Sequence, residues 1–212
     1  MYGIISVKEG GRMKLDYIKI LDGAKEFHGG NQSNFGKNAA RSGCGMIAAC
    51  DMLLFLTGRR SLSAEEYRRF VESACSSFFY RYNLNLFGVT ARRIVKYLGE
   101  KGFMFRFVPK RKLKGAVLEQ YISESLDSGI PVIARIGLNQ KKLHYKITYP
   151  VSGKYSQGSM SWHYITLTGL EKDTVFFSSW GGKGEMLLSD LQLYMGIMGG
   201  IIVPDRIFEQ SV

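Results

Sequence analysis

Cys44 has the sequence surroundings of a reactive thiol. It lies in the segment Ser42-Gly43-Cys44-Gly45, and an almost wholly apolar stretch from Met46 to Leu56 follows at once. A glycine-flanked loop that leads straight into a buried helix places this thiol at the helix N-terminus, where unpaired N–H groups and the helix dipole stabilise an anion. We expect this position to lower the pKa of the thiol and to favour the nucleophilic thiolate.

A base for this thiol is encoded in the second half of the chain. His163 lies near the start of a strand-like segment at 161–169, and a second such segment follows at 173–178. The short turn between them predicts an antiparallel hairpin. Counting back from the turn, His163 falls opposite the end of the second strand, whereas Asp173 lies at the far tip. A side chain that orients His163 is therefore expected within Ser178-Ser179-Trp180-Gly181.

The elements that must position these residues are helices in the first part of the chain and strands in the second. The stretch from about residue 44 to residue 57 is apolar almost all round, which predicts a central, buried helix. Three more helical patterns precede residue 131, and strand patterns predominate after it. This segregation predicts an α+β fold and not a doubly wound parallel sheet.

Polar residues at helix starts give the boundaries of several elements. Ser63 with Glu66 predicts a capping box, and Thr90 and Ser189 are predicted to begin two further helices. Residues 1–43 show weak periodicity and many turn formers, and the segment from Gly29 to Gly36 is predicted to be an extended loop.

Composition and cysteine content describe an ordinary globular protein. The chain has 212 residues, of which 45% are hydrophobic and 22% charged, enough for one sizeable domain. Its three cysteines form neither a disulfide framework nor a zinc-binding pattern. Cys50 and Cys75 lie on apolar helices and are predicted to be core residues. We therefore expect no metal and no cofactor.

The first residues and the hydropathy pattern predict a cytoplasmic protein. The N-terminal residues lack the basic and apolar regions of a signal peptide, and no apolar run approaches the length that spans a bilayer. We expect neither secretion nor a membrane span, and the sequence leaves the oligomeric state open.

The chain is strongly basic, with a formal net charge of +11. This charge draws the protein toward polyanions. The pattern typical of sequence-specific nucleic-acid binding is missing, so no such partner is predicted. The basic residues are interpreted as solvated helix faces and an exposed loop, with a binding module for an acidic partner as the alternative. The densest basic run is Lys110-Arg111-Lys112-Leu113-Lys114.

Taken together, three motifs resemble those of papain-like cysteine peptidases. These are Cys44 before a helix, His163 in the pattern His-Tyr-Ile-Thr-Leu-Thr-Gly, and the downstream Ser178-Ser179-Trp180-Gly181. The chain looks most like the C39-type branch, whose members include bacteriocin-leader peptidases. The resemblance covers about residues 28 to 205. It implies one papain-like domain over 1–212, with an N-terminal extension at 1–27, a mainly helical half at 28–130 and an antiparallel β half at 131–212.

The resemblance also implies a role for each site residue. Cys44 matches the nucleophile and His163 the general base. Asn38, six residues before the nucleophile, matches the amide that donates to the oxyanion beside the backbone N–H of Cys44. Trp180 matches the tryptophan that shields the histidine. Ser178 departs from the pattern, because the family has Asn or Asp there. A serine hydroxyl can accept a hydrogen bond from the imidazole, but it carries no charge.

The resemblance implies hydrolysis of a peptide or amide bond through a thioester on Cys44, with a peptide or protein as substrate. Transfer of the acyl group to an amine uses the same machinery. The substitution at Ser178 supports an alternative, in which an inactive papain-like domain binds a peptide or protein partner in its cleft.

Overall fold

The computed structural model describes residues 12–76, 88–138, 143–149 and 155–205. Helices and a large antiparallel sheet form a mixed α+β fold, as predicted. The helices are α1 (Gly36–Ser42), α2 (Cys44–Leu56), α3 (Ala64–Ala74), α4 (Ala91–Glu100), α5 (Val117–Asp127) and α6 (Leu188–Tyr194). The strands are β1 (Arg12–Lys14), β2 (Lys19–Asp22), β3 (Lys25–His28), β4 (Ser61–Ser63), β5 (Phe105–Pro109), β6 (Val132–Ile136), β7 (Leu143–Thr148), β8 (Tyr155–Met160), β9 (His163–Glu171), β10 (Thr174–Ser179), β11 (Gly182–Leu187) and β12 (Gly200–Pro204).

Helix α2 is the buried central helix that the sequence predicts. It begins at Cys44, and its residues from Gly45 to Phe55 are all buried. Because its surface is apolar on every side, α2 can pack against β9 on one side and against α4 on another. Only Gly43 separates α2 from α1, a helix for which the sequence shows no periodic pattern.

The large sheet has nine strands, and every pair in it is antiparallel. Eight strands lie in the order β5-β12-β6-β9-β10-β11-β7-β8, and β1 adds to the far end of β9. Strands β9 and β10 form the predicted hairpin, and His163 is the first residue of β9. The catalytic candidates therefore come from the start of α2 and the start of a central strand.

The separation of helices and strands along the chain is less complete than predicted. Strands β1 and β5 precede residue 131 and nevertheless belong to the large sheet. Strands β2, β3 and β4 form a second, small sheet in a part predicted to hold loops and helices. Strands β1 and β2 and most of β3 thus lie within residues 1–27, which were predicted to be an N-terminal extension. Strands β2 and β3 pair with each other as a hairpin, whereas β1 pairs with β9, far along the chain, where local sequence patterns give no signal.

Two of the three predicted helix caps are confirmed. Ser63 and Glu66 form a reciprocal capping box at α3, and the Thr90 side chain accepts the backbone N–H of Arg93 at α4. The third cap is wrong, because α6 begins at Leu188 and Ser189 already lies inside it. Strand β11 runs directly into this helix, so the first turn has no preceding loop in which a serine could cap it.

Candidate active site

Cys44 and His163 line the same small cavity between α2 and the large sheet. The cavity has a volume of about 20 Å³, which is room for about one water molecule. The start of α2 and the start of β9 thus bring the two sequence-predicted reactive groups together. The polar residues that share this lining are Gln32, Asp51, Thr166, Ser178 and Ser179.

The imidazole of His163 is held on two sides. Its Nε2 atom lies 2.7 Å from Oγ of Ser179, in a buried hydrogen bond. Its ring stacks on the indole of Trp180, with 4.1 Å between the ring centroids and 13° between the planes. Burial lowers the pKa of His163 to about 3, because a charged imidazolium would lose its hydration there. The ring is therefore fixed and neutral.

The structure corrects the prediction that Ser178 orients the histidine. The hydroxyl of Ser178 donates to the backbone carbonyl of His28, at 2.7 Å. Ser178 lines the cavity, but the hydrogen bond to His163 belongs to its neighbour Ser179.

A β-bulge in β9 explains why Ser179, and not Ser178, contacts the histidine. Thr168 is skipped in the pairing between β9 and β10. Successive residues of a strand point to opposite faces, so one extra residue reverses which side chains of β10 share a face with His163. An unbroken register would place Ser178 on that face. The bulge gives the position to Ser179.

Trp180 lies in a tight turn, and this turn positions its indole against the ring of His163. Trp180 and Gly181 join β10 to β11, and both have positive φ angles, of 50° and 77°. Two such residues are typical of a type I′ hairpin turn. For a bulky residue, a positive φ angle is energetically unfavourable. In this conformation the indole covers His163 and contacts the ring of Tyr145, with 5.5 Å between the centroids of the two aromatic rings.

The environment of Cys44 differs from the one predicted. The thiol is at the first residue of α2, but burial raises its pKa, and this effect outweighs the others. Backbone N–H groups of Tyr164, Gly45 and Cys44 itself, and the charge of Arg135, all favour the thiolate without compensating for the lost hydration. The expectation of a lowered pKa is therefore corrected. At rest, the thiol and the imidazole are both neutral.

Cys44 also borders a wider cleft on its other side. This cleft has a volume of about 320 Å³ and lies between the end of α1 and the large sheet. The Cys44 side chain therefore borders both this cleft and the inner cavity that His163 lines. The residues that line the cleft with Cys44 include Arg41, Val89, Arg135, Trp162 and Tyr164.

The predicted oxyanion donor Asn38 lies in α1 by its backbone, and its side chain is outside the described residues. A second amide, that of Gln32, lines the cavity with Cys44 and His163. One hydrogen of its Nε2 is donated to the carbonyl of Ala40 at 2.8 Å, and an amide nitrogen has two. Gln32 was not predicted from sequence, because it begins a short 3-10 helix (Gln32–Phe35) shortly after two glycines, where no periodic signal marks it.

Asp51 is a second site residue that the sequence analysis missed. It is the sole charged residue of α2 and lies two turns after Cys44, on the same face. Its buried carboxyl accepts hydrogen bonds from the Tyr67 hydroxyl, at 2.6 Å, and from the Gly30 N–H, at 2.9 Å. Burial raises its pKa to about 6. A charged residue in an otherwise apolar helix is the signal that could have found it.

Asp51 anchors the segment 28–32 to α2, and this segment in turn contacts the β10–β11 turn. The Gly181 N–H donates to the Gly30 carbonyl at 3.1 Å, and the His28 N–H donates to the Gly181 carbonyl at 3.0 Å. Gly29 has a φ of 70°, and a Cβ there would overlap Oγ of Ser178 and Oδ2 of Asp51. Glycine at this position lets the backbone pass between the two groups.

Two general searches of the described residues complete the picture of the site. Among residues 12–76, 88–138, 143–149 and 155–205, no three His, Cys, Asp or Glu side chains are grouped so that they could hold a metal ion. In the same part of the chain, no helix combines the length and the apolar character needed to cross a bilayer.

Comparison with known proteins finds one distant structural likeness. No family model matches the sequence, and no match is found among curated proteins. The fold is similar to the crystal structure of a candidate C39-like peptidase from Bacillus anthracis, with a TM-score of 0.33 and 15% sequence identity. The similarity spans 55% of this chain and 59% of the other, which is less than two thirds of that protein.

Proposed function

We propose that the protein is a papain-like cysteine peptidase or amidohydrolase that cleaves a peptide or amide bond through a thioester on Cys44. One observation carries the proposal: a thiol and an imidazole from distant parts of the chain line one cavity, and the imidazole is fixed by Ser179 and Trp180. Nucleophilic catalysis by cysteine needs a thiol, a base within reach and a group that orients the base.

The hydrogen bond of Ser179 supports a specific tautomer of His163. Nε2 is occupied by the hydroxyl, so the proton of the thiol is taken by Nδ1. In the neutral imidazole, Nε2 then carries the hydrogen and donates it to Oγ of Ser179. As Sγ attacks the carbonyl, its proton moves to Nδ1. The same nitrogen later delivers that proton to the leaving amine.

Two side-chain amides are candidates for the oxyanion site, beside the backbone N–H of Cys44. Asn38 is proposed from the family resemblance, and Gln32 from its place at the cavity. Removal of one oxyanion donor typically costs about 2.7–4 kcal/mol of transition-state stabilisation. Replacing the true donor by alanine will therefore reduce kcat by about two to three orders of magnitude. The two variants, measured side by side, identify the donor.

The test uses an electrophilic peptide probe that mimics an acyl substrate. Wild-type protein is incubated with a peptidyl acyloxymethyl ketone, and the intact mass is recorded. We expect one label, lost in Cys44→Ala and strongly slowed in His163→Ala. Cys50→Ala is the matched control, because Cys50 is fully buried and is expected to leave the labelling unchanged.

Turnover is tested with a peptide library, with products identified by mass spectrometry. Cleavage that disappears in Cys44→Ala supports the proposal. Cleavage that persists in this variant, or labelling that does not depend on His163, would contradict it.

The neutral state of the resting thiol favours a second candidate function. Burial raises the pKa of Cys44, and the group that orients His163 carries no charge. Both features suit a domain that binds a peptide without cleaving it. This alternative predicts partner binding that is retained in Cys44→Ala, together with a wild-type protein that neither labels nor cleaves.

A further inference from the structure

A groove at the end of β5, which shares no lining residue with the His163 cavity, combines apolar side chains with cations. Its volume is about 1010 Å³. One wall is the basic run that the sequence analysis singled out. The other wall is formed by the end of α6 and the turn that follows it. The side chains that matter for binding are Lys110, Arg111, Lys114, Leu193, Ile197 and Met198.

The apolar wall projects into solvent. The exposed fractions are 61% for Leu193, 71% for Ile197 and 57% for Met198. Large apolar side chains that are exposed together indicate a surface that meets another apolar phase. They contribute little to the core, because most of their surface stays in water.

The backbone beneath these side chains is firmly held. Ile197 exchanges backbone hydrogen bonds with Leu138, at 2.8 Å and 3.0 Å, and Gly137 N–H donates to the Met195 carbonyl at 2.7 Å. The turn places Met198 at a φ of 63°. The exposure of these two large apolar residues is therefore a property of a well-held turn and not of a loose loop.

The basic wall is attached to the apolar wall and carries no compensating acid. Nζ of Lys110 donates to the Leu193 carbonyl at 2.8 Å, which joins the two walls. Arg111, Lys112 and Lys114 are exposed. Within the described part of the chain, none of these four cations makes an ion pair with a carboxylate. Their charge is available to an external anion.

We propose that this face docks on the surface of an anionic lipid bilayer. Exposed apolar side chains beside lysine and arginine match the two phases of such a surface, the acyl boundary and the negative head groups. The net charge of +11 attracts the whole molecule to it. A second copy of the chain is disfavoured, because the four cations of one copy would then face the same four cations of the other. An acidic peptide would pair with the cations, but it would offer the protruding apolar side chains no pocket to enter.

The experiment measures binding to vesicles by co-sedimentation. Vesicles of phosphatidylcholine mixed with phosphatidylglycerol are compared with vesicles of phosphatidylcholine alone. We expect binding to the anionic vesicles, weakened by salt, and little binding to the neutral ones. The double variant Arg111→Gln/Lys114→Gln is expected to bind about thirtyfold more weakly.

The apolar half of the proposal is tested separately. The double variant Ile197→Ser/Met198→Asn is expected to lower vesicle binding at least about tenfold, because both side chains lose apolar area that the bilayer would cover. Asparagine is chosen since it tolerates positive φ. Met104→Ser is the matched control, because Met104 is as exposed but lies at the other end of β5. Lys25→Gln/Lys172→Gln is the control for loss of two charges elsewhere.

The outcomes separate the bilayer from other anions. Binding that falls in both double variants and not in the controls supports the proposal. No binding to anionic vesicles overturns it. So does binding that depends on the cations but not on Ile197 and Met198, matched by equal binding to poly-glutamate, because that result assigns the surface to an acidic polymer. Circular dichroism of each variant verifies that the fold is intact.

Discussion

Ser179 and Ser178 are adjacent, equally buried and chemically identical, yet only Ser179 contacts the histidine. We expect Ser179→Ala to slow labelling of Cys44 by the peptidyl probe about three- to tenfold, because one hydrogen bond that selects the imidazole tautomer is lost. Ser178→Ala removes a bond to the His28 carbonyl instead. It is expected to lower the free energy of unfolding and to leave the labelling rate near that of wild type. Equal slowing in both variants would contradict the assigned roles.

The pH dependence of Cys44 alkylation reports the charge state of the resting pair. Burial raises the pKa of the thiol and lowers that of the imidazole, so alkylation by iodoacetamide should follow an apparent pKa above about 8.5, the value of a free thiol. The rate is measured by mass spectrometry in wild type and in His163→Ala. A rate that is already high and constant in acid, and that depends on His163, would reveal a thiolate–imidazolium pair at rest.

Cys44, His163 and Trp180 could be predicted from sequence, but the choice of Ser179 as hydrogen-bond partner and the presence of Gln32 at the cavity could not. Cys44 and His163 are marked by their immediate neighbours, a glycine-flanked helix start and a strand start. Ser179 depends on a β-bulge, and a bulge leaves no mark in the residues of β9 itself. Gln32 lies at the start of a 3-10 helix of four residues, which is too short to give a periodic pattern. These positions are set by tertiary contacts, which local patterns do not encode.

At the scale of elements, the bulge in β9 is fixed by a strand from the start of the chain. The Leu15 N–H donates to the carbonyl of Thr168, the residue that β10 skips, at 2.7 Å. Strand β1 then pairs with the end of β9. The capping box of α3 and the start of α2 were predictable because their signals span a few residues. The bulge was not, because its partner is far away in sequence.

Asp51 links α2 to the segment that supports the hairpin turn, and its carboxyl can be tested by Asp51→Asn. Its pKa is raised to about 6 in the folded protein, against 3.8 in the unfolded chain. The stability it contributes is therefore complete below about pH 4 and is lost as pH rises through 6. Asparagine does not titrate. We expect the variant to gain about 3 kcal/mol relative to wild type between about pH 4 and pH 8.

This comparison uses urea unfolding at both pH values, so that a constant cost of the substitution cancels. A gap between the variant and wild type that does not change with pH would show that the Asp51 carboxyl is not perturbed. Labelling of Cys44 in the same variant reports whether the segment 28–32 still holds the β10–β11 turn in place.

At the scale of the whole molecule, Arg135 lies between the two functional surfaces. Its guanidinium lines both the cleft of Cys44 and the groove of the basic run, and it stands over the rings of Trp162 and Tyr164, at 5.9 Å and 5.7 Å. The two proposals can fail independently, because vesicle binding does not need Cys44 and labelling does not need a bilayer.

The buried histidines make the whole fold sensitive to acid. The pKa of His163 is about 3 and that of His28 about 4 in the folded protein, against 6.5 when unfolded. Because both values are lowered, the stability that these residues contribute is complete above pH 6.5 and is lost as pH falls toward the folded values. For His163 alone, the loss reaches about 2 kcal/mol at about pH 5.

The acid sensitivity is measured by urea unfolding of wild type and His163→Gln at about pH 7 and about pH 5. Glutamine cannot take up the proton, so the stability gap between the two proteins should shift by about 2 kcal/mol in favour of the variant at the lower pH. His28→Gln provides a second measurement with the same sign, should the first variant fold poorly. Protonation of Asp51 changes the free energy of unfolding in the opposite direction. It occurs in all three proteins, so its effect cancels in the difference. A gap that stays constant with pH in both variants would mean that these imidazoles remain hydrated, and it would contradict the lowered pKa values of His163 and His28.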